Sequence, residues 1–286
     1  MTEHNPIAKY AQTPALRMHY TEWSPQGTPI LLLHGLSSTL HIWDLVAPTL
    51  TDMGRVIALD QRGHGLTTQP DEGYDLDTSS DDILAFTQAI GICEPFWLIG
   101  HSWGAGVALN TATRHPDQVR GLVLVDGAAM DIKYWLPTWA EAEARLTPPS
   151  LSHFSLEELR TGMREHWLQP AWSPEVEAAA LHGFGEDEHG KVQRRLTLKN
   201  HMQIAQSLWQ FTPAEHFPRV TCPTLICSAR GSDPERDGMR TEQNNLAASQ
   251  LTHGRCAVQW FDNTIHDIPW HRPAELAAAI KTFIQV

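Results

Sequence analysis

The stretch Trp97-Leu98-Ile99-Gly100-His101-Ser102-Trp103-Gly104-Ala105-Gly106 carries an apolar, strand-like run across Gly-His-Ser-Trp-Gly into a helix-like segment. A strand before and a helix after make the G-x-S-x-G pentapeptide a specific pattern rather than a common one. A serine at so sharp a turn lifts its hydroxyl above the sheet. Glycines two residues away on either side let the neighbouring backbone pass close by. The first N–H groups of the following helix point at any negative charge that develops there. Ser102 is therefore a candidate nucleophile.

Outward from this turn, β-rich runs alternate with helical patterns, the mark of a parallel sheet covered by helices. Ile7–Ala11 and Leu16–Glu22, separated by Thr13-Pro14, predict an amino-terminal hairpin. Ile30–Leu33 predicts a buried central strand, and Val56–Leu59, Phe96–Ile99, Leu122–Val125, Thr224–Cys227 and Ala257–Phe261 predict further strands. Helices are expected over Asp77–Ile90, Ala105–Arg114, Arg240–Ser249 and Pro273–Phe283.

The alternation breaks between Met130 and Phe217, where no buried strand run appears. The pattern there is helical, punctuated by Pro137, Pro148-Pro149, Pro170 and Pro174, with Thr138, Ser155 and Ser173 as N-cap candidates. An inserted helical cap over residues 130–217 fits, leaving 1–129 and 218–286 as the core. This stretch holds five of the eleven tryptophans (Trp135, Trp139, Trp167, Trp172 and Trp209), enough to pack the cap and line part of a pocket over Ser102.

Composition bounds the partners. A chain of 286 residues, 42% of them hydrophobic, can bury one large core with a smaller insert. The net charge of -12 argues against nucleic acid and against an anionic membrane surface. The polar start Met1-Thr2-Glu3-His4-Asn5-Pro6 lacks a secretory apolar region, and no run approaches the ~18 apolar residues of a membrane span. A cytoplasmic location is the default expectation. Cys93, Cys222, Cys227 and Cys256 lie in or beside apolar segments without zinc-like spacing and read as small buried hydrophobes. The sixteen histidines form no His-x-x-x-His cluster, so neither a metal nor another cofactor is expected.

A serine hydroxyl needs a base within hydrogen-bond reach, and the base needs an orienting carboxylate. His266 follows the last strand by a short loop and is the expected base, ahead of His271 at the next helix and of His253 before that strand. Two carboxylates compete for the third place. Asp233 follows Thr224–Cys227 in Ala229-Arg230-Gly231-Ser232-Asp233-Pro234 and is preferred. Asp126 follows Leu122–Val125 and is the alternative, with Asp237 third. The backbone amides of Trp103 and Leu36 stand where an oxyanion would need donors.

These residues converge on a family. The chain resembles the α/β-hydrolase superfamily, in the branch with a helical cap between the sixth and seventh core strands. The resemblance rests on Leu31-Leu32-Leu33-His34-Gly35, Ala58-Leu59-Asp60-Gln61-Arg62-Gly63-His64-Gly65, Gly100-His101-Ser102-Trp103-Gly104, Gly121-Leu122-Val123-Leu124-Val125-Asp126 and Ile265-His266-Asp267-Ile268-Pro269. It implies a mostly parallel eight-stranded sheet flanked by helices, and it places Arg62 and His64 in a structural loop beside the site. Two departures stand out. Trp103 occupies a position where many esterases of the family carry a smaller residue. Epoxide hydrolases and haloalkane dehalogenases often have tryptophan there, but after an aspartate nucleophile. The loop expected to read Gly-x-x-Asp is also one residue longer before Asp233, and in some capped members the acid comes from the preceding strand instead.

The resemblance implies a serine hydrolase acting on a carboxylic ester, or its cyclic form a lactone, with a hydrophobic or aromatic group lodged beside Trp103 and the cap. Other chemistries on the same fold are an amidase, a carbon–carbon hydrolase and a cofactor-free perhydrolase. Leu36-Ser37-Ser38-Thr39 lacks the longer glycine and proline motif of the carbon–carbon hydrolases. A non-catalytic small-molecule receptor is the alternative of a different kind.

Overall fold

The computed structural model describes residues 6–285. Strands β1 (Ile7–Gln12) and β2 (Arg17–Glu22) pair antiparallel as the amino-terminal hairpin. Then follow β3 (Pro29–Leu33), β4 (Arg55–Leu59), helix α1 (Leu76–Ala89), β5 (Phe96–His101), α2 (Trp103–Arg114) and β6 (Val119–Val125). A long insertion carries α3 (Trp139–Leu146), α4 (Leu156–Gly162), α5 (Pro174–Leu181), β7 (Phe184–Glu186), β8 (Val192–Arg194) and α6 (Leu198–Gln210). The chain returns through β9 (Thr224–Arg230), α7 (Pro234–Gln250), β10 (Cys256–Asp262), α8 (Ile268–His271) and α9 (Pro273–Gln285).

Eight strands form one sheet in the order β1-β2-β4-β3-β5-β6-β9-β10. Only β2 runs antiparallel to its neighbours; every pair from β4 to β10 is parallel. This is the doubly covered, mostly parallel sheet that the alternating pattern implies. Alternate residues of β3 feed different layers, as strand geometry requires. Leu31 and Leu33 join Phe86 of α1 and Leu109 of α2 on one face. Ile30 and Leu32 join Leu276, Ile280 and Phe283 of α9 on the other. With both faces covered, β3 and β5 are buried along their whole length.

The parallel arrangement brings the carboxyl ends of β5, β6, β9 and β10 to one edge. In open sheets of this kind that edge is where ligands meet the chain.

The insertion departs from an all-helical reading. Phe184 and Val192, both buried, anchor the small antiparallel hairpin β7–β8. Strands of three residues leave too short a run to stand out in sequence. The three cap candidates start helices. Thr138 and Ser155 each accept from the backbone three residues on while Glu141 and Glu158 reach back, and Ser173 accepts from Val176. Helix α6 ties the insertion to the core. Asn200 donates to the Tyr74 hydroxyl at 2.9 Å, and the Ser207 hydroxyl accepts from the Leu76 amide at 3.2 Å.

The cysteines are all free, but they are not uniformly buried: Cys93 is exposed and Cys256 half-buried, because each sits at the margin of its apolar run. No helix among the described residues is long and apolar enough to cross a membrane.

Candidate active site

Ser102 sits between β5 and α2 with φ 54° and ψ -119°, a conformation costly for any residue with a side chain. Close packing holds it there. A Cβ on Gly100 would lie 2.1 Å from the Gly104 carbonyl oxygen, and one on Gly104 would lie 2.5 Å from that of His34. Both flanking glycines are therefore dictated by contact. The Ser102 amide is secured by the Val125 carbonyl at 2.9 Å.

Three side chains from three strand ends meet here. Ser102 Oγ lies 2.9 Å from His266 Nε2, and His266 Nδ1 lies 2.6 Å from Asp126 Oδ2. A carboxylate only accepts, so Nδ1 carries the proton and Nε2 is free to accept from the serine hydroxyl. The third partner is Asp126, not Asp233. The Asp233 carboxylate is turned to the helix that follows, where Oδ1 accepts from the amides of Glu235 at 3.1 Å and Arg236 at 3.2 Å. Pro234 at the first position of α7 makes Asp233 its N-cap, and the longer loop carries it out to solvent. Asp237 is likewise engaged, accepting from the Gly231 amide at 3.3 Å. His271 braces the loop that carries His266, with Nδ1 3.0 Å from Thr264 Oγ1. His253 lies before β10, at the other end of that strand.

Asp126 is buried and fully satisfied. Its Oδ1 accepts from the Ala229 amide at 2.8 Å, and its Oδ2 from Arg240 Nη2 at 2.9 Å as well as from His266. Burial alone would push its carboxyl up, but His266, Arg240 and that amide hold it below the usual carboxylate range. Arg240, also buried, donates to the Ala229 carbonyl too and so clamps β9 to the acid. It stands in no motif, and sequence reasoning missed it.

His266 faces Asp126, Arg240, Asp267 and His101. Desolvation disfavours its imidazolium, yet the hydrogen bond and charge of Asp126 outweigh that and raise its pKa above the ordinary histidine value; Arg240 opposes the rise. His101 is different. Burial and the neighbouring His266 lower its pKa to about 4, so it is neutral and donates Nε2–H to the His266 carbonyl at 3.1 Å.

The loop after β3 closes the site from the other side. A Cβ on Gly35 would stand 3.5 Å from Ser102 Oγ, which fixes how near this loop runs. The Leu36 amide follows, and Ser37 takes a left-handed φ of 60°. His64 supports the turn. Its Nδ1–H donates to the Arg62 carbonyl at 2.8 Å, leaving Nε2 to accept from the Ser37 amide at 3.3 Å. Arg62 is spent on Asp82 through bonds of 2.7 and 2.8 Å. Among the described residues, neither the Leu36 nor the Trp103 amide donates to a protein acceptor.

Trp103 does not line the pocket as its position suggested. As the first residue of α2 it points into the core, fully buried, its ring stacked on His64 at 5.2 Å between centroids. The cavity over Ser102 and His266, about 340 Å³, draws its apolar wall from Met130, Ile132, Trp135, Leu208 and Phe211. Of the five tryptophans in the insertion only Trp135 borders it. Arg145, Arg236 and Arg240 also line it.

Comparison with known proteins agrees with this architecture. A family model described as "alpha/beta hydrolase fold" matches residues 28–227. The chain is 24% identical over 281 residues to N-formylmaleamate deformylase of Pseudomonas putida, covering 94% of this chain and 93% of the relative. It is 35% identical over 100 residues to 2-(acetamidomethylene)succinate hydrolase of Mesorhizobium japonicum, covering 35% of this chain and 36% of that one. The crystal structure of an E-2-(acetamidomethylene)succinate hydrolase superposes with a TM-score of 0.81 at 22% identity, covering 99% of this chain and all of the other.

Proposed function

The chain belongs to the α/β-hydrolase fold family, and from that premise we propose that it is a serine hydrolase cleaving a carboxylic acid derivative, in the first instance an ester, through an acyl-enzyme. One observation carries the reading: the unbroken line from Ser102 Oγ through His266 to Asp126 at the edge of the cavity.

The steps follow from the geometry. Ser102 Oγ attacks the carbonyl carbon while His266 Nε2 takes its proton. The resulting oxyanion is held by the amides of Leu36 and Trp103; losing one such donor typically costs about 2.7–4 kcal/mol of transition-state stabilisation. Collapse breaks the bond to the leaving group, which receives the proton from His266. Water then attacks the acyl carbon, giving its proton to His266. A second collapse releases the acid and returns the proton to Ser102. Asp126 holds the required tautomer throughout and offsets the positive charge on the ring. Epoxide hydrolases and dehalogenases of this family need a carboxylate nucleophile to form their ester intermediate, whereas the turn here carries Ser102. In this reading the insertion acts as a cap and supplies much of the cavity wall.

An amide substrate is the second reading. It is favoured by the deformylase relative, whose name describes removal of an N-formyl group and which matches along 94% of this chain. The same steps serve, with an amine leaving in place of an alcohol.

Labelling with a fluorophosphonate probe tests the nucleophile. Wild type is expected to label and Ser102→Ala to lose both labelling and turnover. Equal labelling of the two proteins would sink the proposal. A panel of para-nitrophenyl esters, lactones and N-formyl or N-acetyl amides then ranks the bond cleaved.

A further inference from the structure

The cavity over Ser102 has an unusual charge balance for this chain. The protein carries 33 acidic against 21 basic side chains, yet the charged groups bordering this cavity are Arg145, Arg236 and Arg240 against Asp126 alone. Asp126 is already bound to His266 and Arg240. Two guanidinium groups are left over. Among the described residues, neither Arg145 nor Arg236 has a carboxylate within 4.0 Å of its guanidinium.

Arg236 is the more informative of the pair. It stands four residues before Arg240 on α7, so the two share one face about one helical turn, ~5.4 Å, apart. Its guanidinium lies over the Trp135 ring, 5.3 Å from the centroid, so the two side chains stand together at the cavity border. Its Nε is buried and bonds to nothing. Burial, then the like charges of Arg240 and Arg145, disfavour its charged form, while Asp126 and Asp233 oppose them. A buried, unpaired donor beside a second cation is destabilising unless something supplies the missing negative charge. A guanidinium fork suits a planar carboxylate.

We infer that Arg236, assisted by Arg145, binds a carboxylate carried by the substrate, so that the enzyme acts on anionic esters or amides in preference to neutral ones. The apolar wall of Met130, Leu208 and Phe211 packs the carbon skeleton between that carboxylate and the reacting carbonyl. In an otherwise acidic protein this is also a local positive focus, which draws an anion toward the cavity.

This inference rests on the serine-hydrolase reading, and the two fail separately. If wild type does not label with the fluorophosphonate, the reaction class is wrong. If it labels and charge preference is absent, only the inference is wrong. The measurement is kcat/KM for matched esters: mono-para-nitrophenyl glutarate against para-nitrophenyl pentanoate, with the charge on the acyl side, and acetylsalicylate against its methyl ester, with the charge on the leaving side. Wild type should prefer the anion in at least one pair, and the pair that responds tells which half of the substrate meets Arg236. Arg236→Gln should reduce that preference by about tenfold or more, mainly through KM. Arg236→Lys should restore part of it, and Arg145→Gln should reduce it about threefold, its side chain being exposed. Arg120→Gln, on the exposed amino end of β6, makes the same change in net charge and should leave the ratio unmoved. A wild type without anion preference in either pair, or Arg236→Gln acting equally on both members, overturns the inference. Inhibition of wild type decides the matter even if the variants fail to fold: glutarate must inhibit more strongly than glutaramide, and equal inhibition overturns it.

Discussion

The loops after β6 and after β9 begin alike and end differently. The two strands are parallel neighbours, both stop at the edge that carries Ser102, and each is followed by an aspartate. After β6 the chain turns at once. Asp126 adopts φ 45°, its amide bonds the Cys227 carbonyl at 2.7 Å, and its carboxylate folds back over the sheet edge to His266. After β9 the chain runs outward through Gly231 and Ser232, and Asp233 spends its carboxylate on the first amides of α7. A carboxylate at the correct edge thus goes to whichever donors its backbone meets first. Proximity in topology does not make it part of the site.

The sharpest way to break this contrast is to change one loop at a time. Asp126→Asn is expected to lower kcat on the order of 10⁴-fold with little change in KM, because His266 then takes the wrong tautomer. Single-turnover kinetics on an activated ester would show it, and a loss under tenfold would remove Asp126 from the catalytic line. Arg240→Gln probes the clamp that distinguishes the two loops. Losing one hydrogen bond to a charged group, about 1.5 kcal/mol, predicts about a tenfold fall in kcat near neutrality.

The pH profile sharpens the same point. In the proposed reaction His266 must be neutral to accept the serine proton. Its pKa is raised, so the acid limb of kcat/KM should lie above the ordinary histidine value, with activity lost as pH falls through it. The charge of Arg240 opposes that rise, so Arg240→Gln should move the limb to still higher pH, and a shift the other way would contradict the assignment. The smallest effect belongs to the β9 loop. Asp233→Ala should leave kcat within about twofold while removing a helix cap worth about 1 kcal/mol, a drop in melting temperature of about 2 °C.

Much of this was legible in the sequence because apolar runs and turn residues are local signals. The eight strands, the turn at Ser102, the position of His266 and the caps at Thr138, Ser155 and Ser173 all leave marks within a few residues. The acid did not resolve, because two strand ends offered the same residue. One local signal favoured Asp126. Reading α7 from Arg240 onward hides that it starts at Pro234, and a helix beginning with proline makes the preceding aspartate its cap. Arg240 and Arg236 were beyond reach, since nothing local says that one face of α7 meets β6 and the insertion. Trp103 misled for a related reason: adjacency to Ser102 in sequence places its amide at the site, while the helix turns its ring away.

The left-handed backbone at Asp126 makes the position a double filter on variation. Aspartate, asparagine and glycine tolerate that conformation; a longer or β-branched residue meets steric resistance before its chemistry is tested. In a saturation library at this codon, selection for folding alone would enrich asparagine and glycine beside aspartate, whereas selection for turnover would keep aspartate. Glutamate would be depleted by both screens despite its carboxylate. The route from this hydrolase to an acid placed elsewhere therefore passes through an inactive, well-folded asparagine protein rather than through a longer side chain at the same site.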